Sequence, residues 1–341
     1  MNRYTEKQQV RGGGLSILFS IILMLGALSP ASAAELEWKQ LPDMPIEKWE
    51  AGTVVLDDKL YMMGGYTAGV KSSKISYTYA PKDGTWTRIQ DLPSGISHMN
   101  MILDGRTIWY AGGYKDGYKG HCISEVWSYD IDNDRFTIAP ILPEPRGGGG
   151  LAIVGRDMHF ISGIKSDRDT DAFEHWVLNL DDWAKGSATW EDAAPIPDAR
   201  NQFSCVVLNG KIYAIGGQYH HDKAQLDQSR TDIYDPKMDK WSAGPELPKG
   251  HSHAEGGTFV YKDTIYMVGG HTTPKGGTKS IDPDILMLKE GGEWELLGKL
   301  PYPLSSPAAC IIDGKMYVGG GSKNGGSVAI ELFVTDVPGV D

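Results

Sequence analysis

The chain has 341 residues, 40% of them hydrophobic and 23% charged, and 44 acidic residues outnumber 33 Lys and Arg to give a formal charge of −11. That balance argues against a nucleic-acid binder, because gripping phosphates takes clustered Lys and Arg. Three cysteines, an odd number, leave at least one free thiol and show no zinc-type spacing with His.

The first residues read as an address. Arg3, Lys7 and Arg11 precede an apolar run from Leu15 to Leu28, and Ala31-Ser32-Ala33 follows as a small-x-small cleavage site. This layout predicts a signal peptide over 1–33 and a mature chain over 34–341, exported to the periplasm or secreted. A retained anchor is the weaker reading, since a spanning helix needs about 20 apolar residues, and no later segment approaches that.

Three markers then recur along the chain. Apolar runs end in Gly pairs at Gly64-Gly65, Gly112-Gly113, Gly216-Gly217, Gly269-Gly270 and Gly320-Gly321, with a degenerate copy at Ser162-Gly163. An aromatic residue follows each of the first five: Trp86, Phe136, Trp190, Trp241 and Trp294, while Trp38 precedes the first pair. Leu-Pro or Ile-Pro steps close each unit, from Leu41-Pro42 to Leu300-Pro301. The six units repeat at about 50 residues, the period of stacked sheet units. Within a unit, two apolar runs flank a hairpin turn such as Asn209-Gly210, Asp104-Gly105 or Asp313-Gly314. Such turns accept positive φ, so each unit reads as four short strands.

The Gly pair, the aromatic four positions before its second Gly (Tyr61, Trp109, His159, Tyr213, Tyr266, Tyr317) and the later Trp resemble the Kelch repeat. The resemblance implies an all-β fold, a six-bladed Kelch β-propeller over 34–341. The ring is expected to close through the N-terminal segment Glu37 to Leu41, which would complete the last blade as its outer strand. Unit three departs from the pattern with Ser162 and His159, and His159 reads as a core residue in an aromatic slot.

In Kelch propellers the loops entering the first strands and those after the Gly pairs share one face, and the resemblance places function there. Aligned on their hairpin turns, the units give a first column of Lys48, Gly95, Arg146, Arg200, His253 and Leu304. Two positions later stand Glu50, Ser97, Gly148, Gln202, Glu255 and Ser306. Seven of the nine His fall near this face. His98, His253 and Glu255 are the candidate catalytic groups, since proton transfer needs an acid and a base in reach of one hydroxyl. Glu50, Asn201 and Gln202 could bond hydroxyls, Arg146 and Arg200 could fork a carboxylate, and Tyr219, His220 and His271 complete the candidate ligand set.

The expected function is recognition of a carbohydrate, an acidic one by preference, with any chemistry a non-redox proton transfer such as mutarotation, epimerisation or β-elimination. The chain resembles exported sialic acid mutarotases in fold, leader and size, without a residue-by-residue catalytic match. A protein-interaction module is the alternative. A copper oxidase propeller is disfavoured: the blade count is six and no ligand motif matches. No cofactor is assigned, and a metal site among His98, His253 and His271 stays open. The acidic runs Asp130-Asp132-Asp134 and Asp167-Asp169-Asp171-Glu174 read as turn and loop residues, with calcium the minor reading.

Overall fold

A computed structural model describes residues 35–117, 119–221, 225–324 and 326–340. The leader expected over 1–33 lies outside the described residues. Six four-stranded antiparallel sheets form the blades of a propeller. Blade 1 is built of Gly52–Leu56, Lys59–Met63, Ser76–Ala80 and Thr85–Ile89. In blade 6 the strands Ala308–Ile312, Lys315–Gly319 and Leu332–Asp336 are joined at the outside by Lys39–Leu41, in the register Lys39↔Val334 to Leu41↔Leu332. Among the described residues no helix is long and apolar enough to cross a membrane.

The hairpin chemistry explains the inner strand pairs. Asp57-Asp58, Asn209-Gly210 and Asp313-Gly314 all carry positive φ at both central residues, the geometry that matches the twist of paired strands. In blade 2 the turn residues are Gly105 and Arg106, because Asp104 pairs with Thr107. That is one position later than the Asp104-Gly105 reading.

The Gly pairs join neighbouring blades. Each second glycine donates its N–H to the carbonyl of the residue that leads into the next blade. Gly65 reaches Ile96, Gly113 Arg146, Gly163 Arg200, Gly217 His251, Gly270 Leu304 and Gly321 Lys48, at 2.8–3.1 Å. The last of these runs from blade 6 to blade 1, so the six bonds form a cycle. The first glycine must be small because the same carbonyl presses on it: a Cβ at Gly216 would lie 2.3 Å from the His251 oxygen. Ser162 solves the problem differently. It holds φ at 59°, and its hydroxyl lies 2.7 Å from both the Arg200 and Ala172 carbonyls, with one proton to share between them, while accepting the Arg200 N–H.

Aromatic side chains brace the outer strands. The indoles of Trp38, Trp190, Trp241 and Trp294 donate to the carbonyls of Lys299, Pro140, Ala194 and Pro245, each on the preceding blade, at 2.8–3.2 Å. The six aromatic-slot residues are all buried between blades. His159, as expected, is one of them. It donates from Nδ1 to His175 Nε2 at 2.9 Å while His175 donates to the Ala194 carbonyl, and burial holds the two imidazoles neutral, with pKa values of about 3 and about 4. The three cysteines form no disulfide, and burial pushes each thiol upward.

Gly216→Ala and Gly210→Ala separate these effects. Both sites have positive φ, but a Cβ at Gly210 meets nothing. Gly210→Ala should cost about 1–2 kcal/mol for the left-handed backbone, and Gly216→Ala clearly more through the His251 carbonyl. Urea unfolding of the two variants checks this; equal losses would show that close approach does not constrain the pair.

Candidate functional site

At the loop face, six residues turn left-handed just before the innermost strands: Glu50, His98, Gly148, Gln202, His253 and Ser306, with φ of 49–59°. Their backbones link around the axis. Gly148 N–H bonds the His98 carbonyl, Gln202 that of Gly148, His253 that of Gln202, Ser306 that of His253 and Glu50 that of Ser306. At the remaining junction, between Glu50 and His98, side chains meet instead, with Oε2 and Nδ1 2.8 Å apart.

This belt corrects the sequence alignment in two blades. The later turn in blade 2 replaces Gly95 and Ser97 with Ile96 and His98. In blade 5 a 3-10 turn, Glu255–Gly257, adds two residues before the inner strand. His251 and His253 therefore occupy the columns given to His253 and Glu255. Glu255 is not on the belt. Burial, reinforced by the Glu50 charge, pushes its carboxyl up to about 8.

The lead-in residues two positions earlier do not face a ligand. Arg200 is fully buried: it donates to the carbonyls of Gly216 at 2.6 Å and Ala214 at 3.0 Å, and pairs with Asp232 at 2.9 Å. Arg146 lies against Glu144, Glu174 and the Trp176 ring, equally buried. Lys48 donates to the Gly64 and Ile75 carbonyls, and burial lowers its ammonium to about 7. His251 donates to the Gly269 carbonyl at 2.5 Å. Arg200, Lys48 and His251 thus bond carbonyls of their own blade, and Arg146 already lies against the carboxylates of Glu144 and Glu174, so neither buried guanidinium is presented to a ligand, contrary to the carboxylate grip expected of Arg146 and Arg200.

What the belt does assemble is a polar cavity of about 180 Å³. Glu50, His98, His253 and His271 line it with Trp49, Tyr66, His221, Gln225, Ser305, Arg168 and Lys279. His253 Nε2 is 3.9 Å from Glu50 Oε1, and the His253 and His271 rings are 3.9 Å apart. Ser252 donates its hydroxyl to Asp227 at 2.7 Å, so at 2.8 Å it accepts from His253 Nδ1–H. The Nε2 lone pair of His253 is thereby turned to the cavity. Burial first, then the neighbouring cationic and imidazole groups, hold His253 and His271 well below the usual His range, hence neutral. Gln225 donates to His271 Nε2 at 2.6 Å. Tyr114 stacks on His221 at the side of His98.

The other expected ligand residues lie around this cavity rather than in it. Asn201 is buried, bonding Asp171 and the Gln218 carbonyl. Gln202 approaches His221 Nδ1 at 3.2 Å. Tyr219 donates to Asp198, and His220 is exposed beside Asp171 and Asp169. Asp130 and Asp167 accept backbone N–H groups of their own turns. Gln225, Arg168 and Lys279 escaped the sequence reading because residues of these loops share no register, whereas Trp49 and Tyr66 do share one, pairing as Ser97 with Tyr114 and Ser252 with His271. The belt itself was legible: Gly95-Ile96-Ser97-His98 and Gly250-His251-Ser252-His253 share Gly-x-Ser-His, which aligns blades 2 and 5 directly.

Two outcomes follow. Arg200→Ala should destabilise by about 3–5 kcal/mol, because the buried Gly216 and Ala214 carbonyls lose their donor and Asp232 keeps only Arg230; an unchanged denaturation midpoint would contradict the stapling role. Glu255 holds its proton to about pH 8 when folded but only to about 4.5 in its ordinary state. Its contribution to stability is thus full below pH 4.5, falls as the pH rises towards 8, and is flat above. Glu255→Gln should remove that slope, read as melting temperature against pH.

Comparison with known proteins agrees with this architecture. The family model described as the KLHDC2/KLHL20/DRC7 Kelch-repeats domain matches residues 31–217, and the Kelch motif matches 199–248. The chain is 26% identical to "Kelch repeat-containing protein At3g27220" of Arabidopsis thaliana, over 86% of this chain and 73% of that protein. It is 30% identical to "Kelch-like protein terF" of Aspergillus terreus, over 53% of this chain, and 28% identical to human "Kelch-like protein 23", over 60%. It spans only 40% and 35% of those two proteins. The solved "Structure of YjhT" superposes with a TM-score of 0.72 over 88% of this chain and 97% of that one, at 15% identity, a likeness of fold. With six blades joined through their Gly pairs and a family model spanning more than half its length, the chain belongs to the Kelch-repeat family.

Proposed function

We propose that this Kelch propeller binds a carbohydrate carrying a carboxylate in the cavity at its loop face. The observation that carries the reading is the convergence there of hydrogen-bonding groups on Glu50, His98, His253 and His271 with the cations Arg168 and Lys279. Neutral imidazoles accept from sugar hydroxyls, and the cations complement the acid. Trp49 and Tyr66 offer ring faces. At about 180 Å³ the cavity is smaller than the roughly 300–1,000 Å³ of drug-sized sites, so it takes one end of a sugar. The leader pattern supports a location in the periplasm or outside the cell.

Turnover, where it follows binding, is non-redox. Glu50 and His98 are close enough to move a proton at one hydroxyl, as anomer exchange requires. Family membership supports a second reading, an acidic peptide presenting the same carboxylate.

Calorimetry with N-acetylneuraminate and galacturonate tests the proposal. At least one acid should bind wild type, and Lys279→Ala should weaken it about tenfold, the effect of losing one charge-assisted contact. Neutral galactose should bind less well than either. Failure of both acids, or full affinity in Lys279→Ala, would contradict it. Anomer exchange followed by NMR then distinguishes enzyme from binder.

A further inference from the structure

We propose that Glu50, His98 and His253 form a site for a divalent transition-metal ion of the zinc type. Their ligand atoms all lie within 4.8 Å of one another on the cavity wall. A four-coordinate ion with bonds of about 2.0–2.1 Å sets neighbouring ligand atoms roughly 3.4 Å apart. The closest approaches here are 2.8 Å from Glu50 Oε2 to His98 Nδ1 and 3.9 Å from Glu50 Oε1 to His253 Nε2, one imidazole to each carboxylate oxygen.

Glu50 supplies an independent sign. Its residue is only 8% exposed, and Oε2 makes no hydrogen bond of proper geometry even though His98 Nδ1 is 2.8 Å away. The contact has the wrong angle for a donated proton. A buried carboxylate oxygen that accepts no hydrogen bond is costly, and a cation held by Glu50 and a neutral imidazole would offset that cost.

The surroundings prepare His253 as a ligand. The Ser252 hydroxyl, itself donated to Asp227, fixes Nδ1 as the protonated nitrogen and turns Nε2 inward. Metal-bound imidazoles are oriented in this way by an outer hydrogen-bond partner. Backbone geometry adds rigidity: all three ligands sit at φ of 54–56°, held by the axial belt. Two imidazoles with one carboxylate favour zinc and its neighbours over calcium or magnesium, which take oxygen shells. Three protein ligands beside a cavity leave a coordination position open to a ligand oxygen.

This inference does not rest on the carbohydrate reading, because the ion is measured with no sugar present. Proton transfer by Glu50 and His98 requires the same atoms metal-free, so the loaded and stripped proteins also separate those two chemistries.

The untagged protein, stripped with chelator and dialysed, should take up one zinc per chain by elemental analysis and show a raised melting temperature. Calorimetric affinity should fall at least 100-fold in His253→Gln and in Glu50→Gln, and about 10–100-fold in Asp227→Asn, which reaches His253 through Ser252. His121→Gln, on an exposed loop, should bind as wild type. Circular dichroism verifies folding, and zinc anomalous scattering from wild-type crystals locates the ion where a variant does not fold. Stoichiometry well below one, unchanged affinity in His253→Gln and Glu50→Gln, or an anomalous peak elsewhere would overturn the site. Zinc bound without any sugar acid binding would leave the site standing and remove the carbohydrate reading.

Discussion

Everything in this propeller depends on one backbone contact: the N–H of the second glycine of each pair donating to the residue that leads into the next blade. Six such bonds run around the axis. They force the first glycine against a carbonyl oxygen, which is why that position is Gly, or in blade 3 a Ser whose hydroxyl bonds the same oxygen. They also fix where each chain segment approaches the channel. Two residues past the bonded carbonyl the backbone turns left-handed, and the side chains there are delivered to the mouth of the channel. The Gly pair therefore positions the site as well as the blades.

Charge is divided between two tasks by the same geometry. Lead-in residues point into their own blades, where Lys48, Arg200 and His251 donate to the carbonyl of the first Gly. A buried cation whose donors are matched, as Lys48's are, stiffens a sheet; left unmatched, it would be expensive. Of the residues two places on, Glu50, His98 and His253 face the cavity. At the opposite, hairpin end the channel is lined by apolar side chains such as Val54, Met101, Ile153, Val207, Val260 and Ile311, together with Asp58 and Asp313. What distinguishes the loop face is the set of imidazole and carboxylate groups of Glu50, His98, His253 and His271 on one cavity.

The fold was readable because its determinants are local and periodic. Gly pairs, hairpin turns and tryptophans each carry a fixed backbone or packing demand, and they recur through the six units with one substitution each in two of the markers, Ser162 for Gly and Phe136 for Trp. His98, His253, Glu50 and His271 were found by the same logic, and the structure brings them together. Arg146 and Arg200 were placed on the right loops, but a sequence does not show that Glu144 and Glu174 meet the one guanidinium, or that Asp232 and the blade's own carbonyls take up the other. Glu255 was misplaced because two inserted residues are absorbed in a 3-10 turn, which counting back from the hairpin cannot detect. Arg168, Lys279 and Gln225 come from loops of differing length, and only the folded ring brings them to one wall.

The central claim is that ligands enter at the belt and not at the apolar end of the channel. Hydrogen–deuterium exchange with and without saturating N-acetylneuraminate or zinc tests it most directly. The account predicts protection confined to the segments around Lys48–Ala51, Ser97–His98, Ser252–Ala254 and His271. Protection centred instead on Val54–Leu60 and Phe259–Tyr261 would contradict it.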